Sequence, residues 1–350
     1  MVYCAAMVDD PLLVNDWHVV ARSRDLDARQ VRPARLLGQD IVLWREADRP
    51  PTGFVSQATP PTIHAWHDLC LHRGAKLSGG RVIAREDRES APSDCLACPY
   101  HGWEYDASGK CARIPAAPTQ PPPEKARVES FKAQDKYGFI WVSLGDPQRD
   151  VPEFPEWSDT TFRKVDAGPY TFRAQGPRII ENFLDVGHFP FVHAGLLGDP
   201  KHTEVGDYQV ETTDDGVIAK DIPFFQPDPD GTGWGAEVRY TYRALRPLTA
   251  YFIKVNEGRR FSMINFVTPV DENTSDSWAI MALNYSPETT DFALREFQDK
   301  VAGQDIPIVE SQRPELLPLD LQTELHLKSD RTAIAYRQWL KKIGLKYGTA

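Results

Sequence analysis

Two short segments, each with one cysteine and one histidine, constrain the fold of this 350-residue chain more than any other feature. In "HDLCLHRGAKLSGG", Cys70 lies two positions before His72, and in "CPYHGWEYDASGK", Cys98 lies three positions before His101. Thiolates and imidazoles are the ligands of zinc and of iron–sulfur centres in proteins. Two loops that present these ligands in the same order predict that the chain folds around a metal centre here.

A structural zinc site is the plain alternative, because two cysteines and two histidines are a common zinc shell. Two features favour a diiron cluster instead: the pairs lie in similar glycine-bearing loops among strands, and each presents its thiolate before its imidazole. A Rieske [2Fe-2S] cluster has two cysteines on one iron and two histidines on the other. The neutral imidazoles raise its reduction potential to about −150 to +300 mV, so that it accepts electrons from a flavin or ferredoxin donor.

The pattern of hydrophobic runs divides the chain into two parts. Strand-like runs such as "WHVVAR", "DIVLWRE", "TIHAWHD" and "GFIWVSLG", separated by turns, predict a small all-β domain over residues 1–145. The proline-rich "PAAPTQPPPEKA" predicts extended chain leaving this domain. From 146 to 350, helical segments at the start and the end enclose alternating strands, which predict a large antiparallel sheet packed by helices. The predicted fold class is α+β.

A second group of candidate ligands lies in "ENFLDVGHFPFVH". Asn182, Asp185 and His188 are spaced by three, so a helix would place them on one face. His193 follows His188 by five residues, and a helix kinked at Pro190 would direct both imidazoles at one metal. The alternative is two buried histidines whose rings are satisfied by the backbone. Two histidines and one carboxylate, with open coordination positions, form the facial triad of non-haem Fe(II) oxygenases.

"CLHRGAKLSGG", "CPYHGWEYDASGKCARIPAAP" and "NFLDVGHFPFVH" resemble the Rieske non-haem iron oxygenases, and the resemblance covers both halves of the chain. It implies a Rieske domain followed by a catalytic domain of the helix-grip type. It also implies that His188 and His193 bind a mononuclear Fe(II), with the third ligand at Asp305 in "QDIPIVESQ". A helix N-cap is the alternative role for Asp305, and Asp299 and Glu310 are rival ligands.

The sequence departs from the family pattern between the two Cys–His pairs. The interval is longer than usual, and the extra "AREDRESAPSDCLA" is expected to be an exposed loop extension. Cys95 makes a local C-x2-C with Cys98, but the C-x2-H pattern requires Cys98, so Cys95 is interpreted as a bystander. Cys4 and Cys111 lack a partner motif and are interpreted as ordinary thiols.

The resemblance implies roles for the polar neighbours of the iron and for partner proteins. Asp185 is expected to bridge His188 to the cluster histidine His101 of a neighbouring subunit, which implies a ring-shaped homotrimer with electron transfer between subunits. Asn182 is expected to lie beside the iron. A separate NADH-dependent reductase, with or without a ferredoxin, is the expected electron donor, and O2 and a small molecule are the expected substrates.

The resemblance is best to the branch with a single type of subunit, whose members hydroxylate C–H bonds or remove O- and N-methyl groups. Monooxygenation of a small, aromatic or otherwise mostly apolar substrate is the expected reaction, and cis-dihydroxylation of an aromatic ring is the alternative. A Rieske electron carrier without oxygenase activity would not need the second group of ligands. A zinc-stapled binding protein would be inert towards O2.

Composition narrows the range of partners. The net charge of −10 argues against nucleic acid, whose phosphates require clustered lysine and arginine. No apolar run reaches the roughly eighteen residues that a membrane-spanning helix needs, and the N-terminus lacks the basic start of a signal peptide. Five cysteines do not make a disulfide framework in a chain of this length. The cytoplasm is therefore the expected location.

Aromatic side chains are frequent in the predicted strands between 234 and 285. Alternate positions of such strands are expected to line an apolar pocket over the iron. The candidates for this pocket are Trp234, Tyr240, Tyr251, Phe252, Phe261, Phe266 and Trp278. Arg239, Arg243 and Asn265 are candidates to meet a substrate carboxylate, with exposed strand positions as the alternative.

Overall fold

The computed structural model describes residues 7–47, 62–85 and 93–350. The chain forms two compact units that divide between Val151 and Pro152. Each unit has its own sheets and its own buried core.

The first unit is built almost entirely from strands, as the alternating runs predict. Its elements are α1 (Pro11–Val14), β1 (His18–Arg22), β2 (Val31–Leu36), β3 (Gln39–Arg45), β4 (Ile63–His67), β5 (Arg81–Arg85), β6 (Ser93–Ala97), β7 (Glu104–Asp106), β8 (Cys111–Arg113), β9 (Ser130–Lys136) and β10 (Phe139–Ser143). One antiparallel sheet has the order β1-β10-β9-β4-β3-β2, and a second has the order β5-β6-β7-β8.

The core of the first unit extends into the two loops that carry the cysteines. Trp44, Trp66 and Tyr105 are almost fully buried, and the thiols of Cys70 and Cys98 belong to the same buried cluster. Burial of large aromatic side chains supplies most of the free energy that stabilises a unit of this size. The loops are therefore held by the core beneath them.

Two expectations for the first unit are wrong in part. The extension "AREDRESAPSDCLA" is not only a loop, because β5 and β6 pair as a hairpin from Arg81↔Ala97 to Arg85↔Ser93; its residues 86–92 lie outside the described ones. The proline-rich segment does not begin as extended chain. Turn hydrogen bonds join the Ala117 amide to the Ile114 carbonyl, and the next turn follows directly.

The second unit combines one large sheet with helices. Its elements are β11 (Arg163–Phe172), α2 (Gly176–Leu184), α3 (Phe189–Val192), β12 (Gln209–Thr213), β13 (Gly216–Gln226), β14 (Ala236–Arg246), β15 (Thr249–Asn256), β16 (Arg259–Pro269), β17 (Ser275–Leu283), α4 (Asp291–Ser311) and α5 (Arg331–Ile343). The seven strands are antiparallel, in the order β11-β17-β16-β15-β14-β13-β12.

One face of this sheet packs against α2 and α4. Met263 of β16 and Met281 of β17 are buried in a cluster that also holds Phe183 of α2 and Leu294 of α4. Because side chains alternate between the two faces of a strand, every second residue of β14 to β17 points at these helices. The space between the sheet and the two helices positions the second site.

The predicted kinked helix over the two histidines is wrong. Helix α2 ends at Leu184, and Asp185 is extended, with φ −95° and ψ 134°. The Asp185 carboxylate accepts hydrogen bonds from the backbone N–H groups of Gly187 and His188. This local turn competes with the helix, as aspartate side chains commonly do, and α3 starts only after it. Asn182, Asp185 and His188 therefore do not share one helical face.

The predicted C-terminal helices are confirmed. Helix α4, at 21 residues, is the longest in the described part of the chain and continues through Pro307. Helix α5 ends at Ile343, and its C-cap Gly344 has φ 80°. Charged side chains recur along both helices. None of the helices in the described part of the chain is long and apolar enough to cross a membrane.

Candidate cluster and iron sites

The two Cys–His loops have the same backbone design. The Cys70 amide donates to the Ala75 carbonyl at 2.8 Å, and the Cys98 amide donates to the Trp103 carbonyl at 2.8 Å, five residues on in both cases. In each loop the glycine four residues after the cysteine donates its amide to the cysteine carbonyl. These glycines, at 74 and 102, have φ of 71° and 69°, a conformation that disfavours other residues.

This design brings the four candidate cluster ligands together. The His72 and His101 rings have centroids 4.5 Å apart. Burial raises the pKa of the Cys98 thiol, and a hydrogen bond with the neighbouring Cys70 thiol raises it further. Buried His72 Nδ1 has no hydrogen-bond partner among the described residues, which fits a nitrogen that binds metal. Two thiols and two imidazoles in one place fit a Rieske cluster.

Two aromatic residues that the sequence analysis did not single out support this site. The Tyr105 hydroxyl lies 3.2 Å from Cys70 Sγ, and the Trp103 ring stacks on His72 at 4.7 Å with an interplanar angle of 7°. Both follow Cys98 closely in "CPYHGWEYD", and this position is the feature of the sequence that could have indicated that they contact the cluster ligands. Hydrogen bonds to cluster sulfurs tune the reduction potential.

The remaining cysteines of the first unit lie in strands. Cys95 is buried in β6 and faces Ile83 and Asp106 across the ladder. Cys111 begins β8, and its thiol lies 3.5 Å from the Arg113 carbonyl. Cys4 lies outside the described residues.

In the second unit, the structure brings His188, His193 and Asp305 together. Nε2 of His193 lies 3.1 Å from Asp305 Oδ1, and Nε2 of His188 lies 3.5 Å from the same oxygen. The two Nε2 atoms are 3.2 Å apart. These three donor atoms, all within 4.8 Å of one another, are the one group of this kind found among the described residues. The chemistry of the set fits a facial triad.

The other ring nitrogen of each histidine is held by a neighbour. His188 Nδ1 lies 3.0 Å from Asp185 Oδ2, and His193 Nδ1 lies 2.8 Å from Gln304 Oε1. Because both partners are acceptors, Nδ1 of each ring carries a proton, which leaves Nε2 as the atom that would bind a metal. Gln304 was missed by the sequence analysis, and only its place next to Asp305 could have drawn attention to it.

The charges of the site are mutually stabilised. Burial acts to lower the pKa of His188, but hydrogen bonds to Asp185 and Asp305 outweigh it and raise the pKa to about 9. Burial likewise acts to raise the pKa of Asp305, and hydrogen bonds from His188 and His193 instead lower it to about 2. The carboxylate is therefore ionised at neutral pH and suited to bind a cation.

The three candidate carboxylates occupy different positions on α4. Asp305 lies inside α4, not at its N-cap, which is Thr290. Asp299 accepts the Tyr170 hydroxyl at 2.7 Å, and Glu310 accepts the Arg173 amide at 2.8 Å, so both rivals are engaged elsewhere on α4. The Asn182 side-chain amide lies 3.4 Å from Asp305 Oδ1, beside the site as expected.

A buried ion network lies on α2, which carries Asn182 and leads into the histidines. Arg337 of α5 donates to both oxygens of Glu181, at 2.5 and 2.8 Å. Arg178 lies 3.5 Å from Glu181, and Glu324 accepts hydrogen bonds from both arginines. The network joins α2 to the C-terminal segment, and the opposite charges beside each buried charge offset part of the cost of its burial.

A cavity of about 390 Å³ lies against the three donors. His188, His193 and Asp305 form part of its lining, together with aromatic residues of the sheet and of α2. This volume is in the range of small-molecule sites. The cavity, the donors and the sheet all belong to the second unit.

The pocket expectations were right for some positions. Tyr240, Phe252, Phe261 and Asn265 line the cavity. The other candidates are not among the described residues that line the cavity. Trp234, Arg239 and Arg243 are exposed, and Tyr251, Phe266 and Trp278 are buried elsewhere. Within the strands, the candidates that line the cavity and those that do not lie on opposite faces of the sheet, because side chains alternate along a strand.

Two family matches cover most of the chain. The Rieske [2Fe-2S] domain matches residues 16–132, and the vanillate O-demethylase oxygenase C-terminal domain matches residues 172–345. Methylxanthine N1-demethylase NdmA of Pseudomonas putida is 33% identical over 285 residues, which are 80% of this chain and 76% of that protein. Methylxanthine N3-demethylase NdmB of the same species is 30% identical over 351 residues, 96% of this chain and 91% of that protein.

The fold is similar to that of a solved relative. The structure of Pseudomonas putida CBB5 NdmA with caffeine aligns with a TM-score of 0.76 and 28% identity, covering 95% of this chain and 91% of that chain. A cluster-binding all-β unit, followed by an antiparallel sheet with an internal pair of histidines and a carboxylate, defines an oxygenase of the Rieske type. This chain belongs to the Rieske non-haem iron oxygenases.

The family membership confirms several expectations. The fold class, the oxygenase activity with O2, and the [2Fe-2S] cluster and mononuclear iron as cofactors are those of the family. The chain is the terminal oxygenase component, which receives electrons from a separate reductase and monooxygenates its substrate.

Proposed function

We propose that this oxygenase removes a methyl group from a nitrogen of a small heterocycle. The observation that carries the proposal is the convergence of two Nε2 atoms and one carboxylate oxygen in the wall of a cavity of about 390 Å³. The relatives that share about a third of their residues with this chain are N-demethylases of methylxanthines. The cis-dihydroxylating alternative has no comparable support.

The proposed ligands divide between the two units. Cys70, His72, Cys98 and His101 would hold the cluster, and His188, His193 and Asp305 would hold Fe(II). The support is the shared design of the two loops and the fixed Nδ1 partners of both iron-site histidines. When bound, the two groups together supply electrons and activate O2 for insertion into a methyl C–H bond.

The residues of the chain position the substrate and control protons and water. Aromatic walls exclude water from the cavity, and they hold a planar ring with its methyl group towards the ligand set. Asp185 and Gln304 keep the protons of His188 and His193 on Nδ1. The hydroxylated N-methyl group then breaks at its carbon–nitrogen bond, which releases formaldehyde and leaves the nitrogen with a hydrogen.

We further propose a homotrimer in the cytoplasm. Asp185 already holds His188, and its side chain is 36% exposed, so the same carboxylate could accept a second imidazole from a neighbouring subunit. His101 of that subunit is the proposed partner. Electrons would then pass between subunits through one hydrogen-bonded carboxylate.

The test combines product analysis with metal counting. The chain is purified without oxygen, loaded with Fe(II), and supplied with an NADH-dependent reductase, O2 and caffeine. We expect about three irons and two sulfides per chain, and one formaldehyde for each N-methyl group lost. A cis-diol without formaldehyde would contradict the proposal in favour of dihydroxylation, and two irons with no turnover would contradict both oxygenase reactions.

A further inference from the structure

Asn265 is a buried polar side chain of the cavity with unused hydrogen-bonding capacity. It lies on β16, is 5% exposed, and lines the cavity between the sheet and the helices. Its Oδ1 accepts a hydrogen bond from the Ser277 hydroxyl at 2.7 Å. Among the described residues, no acceptor meets its Nδ2. Two N–H donors are therefore available to a molecule in the cavity.

Ser277 determines which way the Asn265 amide faces. Its hydroxyl proton has no other acceptor among the residues that the structure describes, so the serine donates and Asn265 presents its oxygen to it. Ser277 lies on β17, diagonal to Asn265 across the ladder in which Asn265 faces Ala279. Reversal of the amide would leave the buried hydroxyl without an acceptor, which costs free energy.

Two acceptors of the cavity already have partners. Gln226 Oε1 accepts from Lys254 at 3.1 Å, and Asp305 is surrounded by imidazoles. Tyr242, 1% exposed, also lines the cavity, and no hydrogen bond to its hydroxyl is found among the described residues. At Asn265 itself, a ligand that pairs with the amide N–H groups must bring an acceptor.

The one buried cation of the lining is neutralised. Lys254 donates to Gln226 and to the Pro229 carbonyl. Burial lowers the pKa of Lys254 to about 8, and the carboxylates of Asp230 and Asp228 oppose this shift. Its positive charge is therefore balanced within the protein. A substrate carboxylate would be buried without a free counter-ion, which is costly. The cavity favours an uncharged ligand.

We infer that Asn265 is a specificity-determining residue, which binds the carbonyl oxygen of an uncharged N-methylated oxo-heterocycle, and that Ser277 is its positioning residue. This inference rests on the proposed N-demethylation and adds the substrate feature that is recognised. The aromatic rings around the cavity hold the plane of the ligand, and the amide selects the orientation in which a carbonyl oxygen faces β16. An analogue without the carbonyl leaves the amide unpaired.

The test measures binding in the absence of turnover. Equilibrium dialysis of the anaerobic, Fe(II)-loaded protein is performed with caffeine and with 1-methylindole, which is a similar bicycle without a carbonyl. We expect the wild type to bind caffeine at least about tenfold more tightly. Asn265→Leu should weaken caffeine binding about tenfold and change 1-methylindole binding less than about twofold. Asn265→Asp, which replaces the donor by an acceptor, should weaken caffeine binding more.

Ser277 variants separate positioning from general damage to the sheet. Ser277→Ala should weaken caffeine binding about threefold and raise KM with little change in kcat, and Ser277→Thr, which keeps the hydroxyl, should restore both. Equal binding of the two ligands, no binding of caffeine, or unchanged caffeine binding in Asn265→Leu would overturn the inference. If the wild type releases formaldehyde but Asn265→Leu binds caffeine as tightly as the wild type does, the inference about Asn265 is overturned and the proposed reaction stands. If the wild type binds caffeine selectively but releases no formaldehyde, only the proposed reaction is overturned.

Discussion

The cluster site and the iron site differ in the sequence separation of the residues whose hydrogen bonds hold their ligands in place. The cluster loops are closed by hydrogen bonds that reach five residues, from Cys70 to Ala75 and from Cys98 to Trp103. The iron site joins His193 to Gln304, 111 positions apart. Hydrogen bonds between near neighbours in sequence are enough to form each cluster loop. The iron site forms only when distant parts of the chain have folded together.

The two sites also differ in what keeps their ligands in place. Positive-φ glycines and a buried aromatic core hold the cluster loops. Hydrogen bonds to Nδ1 and the buried ion network on α2 hold the iron site. We therefore expect a single substitution in the second unit to disturb the iron site while the cluster remains intact.

The largest effect is expected from Asp305→Ala. The third donor and its negative charge are lost, so the mononuclear iron should be lost and formaldehyde release should fall by about 10³-fold. The cluster should keep its visible spectrum and two sulfides. Asp299→Asn is the matched control, because Asp299 lies on the same helix but binds Tyr170. Loss of iron in the control as well, or retention of iron in Asp305→Ala, would refute the proposed ligand set.

The next largest effect is expected from Glu181→Gln. Arg337, which is 3% exposed, would lose its bidentate charge partner and keep only Glu324, so the second unit should lose about 3 kcal/mol of stability. Hydrogen exchange of the α2 amides measures this, while the visible spectrum reports on the cluster. Glu324→Gln is the control: its side chain is 27% exposed, and we expect about 1 kcal/mol. An equal effect of the two substitutions would argue against burial as the cause.

A smaller effect is expected from Gln304→Leu, which removes the partner of His193 Nδ1 without touching a proposed ligand. The affinity for Fe(II) should fall about 10–100-fold, because the imidazole loses its fixed tautomer and orientation. Competition with a chelator measures this affinity. Gln304→Glu keeps an acceptor at the same place and should retain most of it. If Gln304→Leu binds Fe(II) as the wild type does, the hydrogen bond does not orient the ring.

The same contrast explains how far the sequence alone could lead. Cys70, His72, Cys98 and His101 are recognisable because a local pattern dictates a local structure. The kinked helix was a wrong prediction, because the spacing of Asp185 and His188 fits a helical face equally well as a turn closed by the aspartate side chain. Spacing drew attention to these residues, but the backbone it predicted for them was wrong.

Features that depend on contacts between distant parts of the chain could not be predicted without the fold. Which aromatic side chains enter the cavity depends on strand parity: Phe252 points inward, whereas its neighbour Tyr251 points away and donates to Glu156 at 2.7 Å. The meeting of Asn265 and Ser277 depends on the register between β16 and β17. A shift of one residue would reverse every side chain of a strand, and no local motif specifies that register.

The smallest effect is expected in the first unit, from Tyr105→Phe. The Tyr105 hydroxyl, 3.2 Å from Cys70 Sγ, would donate to the thiolate of a bound cluster and stabilise the more negative, reduced form. Loss of one hydrogen bond of about 1 kcal/mol corresponds to a fall of roughly 40 mV in a one-electron reduction potential. A redox titration of the cluster measures it. Tyr100→Phe is the control, since this exposed residue contacts His101 through its ring, with centroids 3.8 Å apart, and no hydrogen bond of its hydroxyl is found among the described residues. An unchanged potential in Tyr105→Phe would mean that the hydrogen bond to Cys70 does not tune the cluster. An equal fall in both variants would mean that the potential responds to any nearby hydroxyl rather than to a hydrogen bond to sulfur.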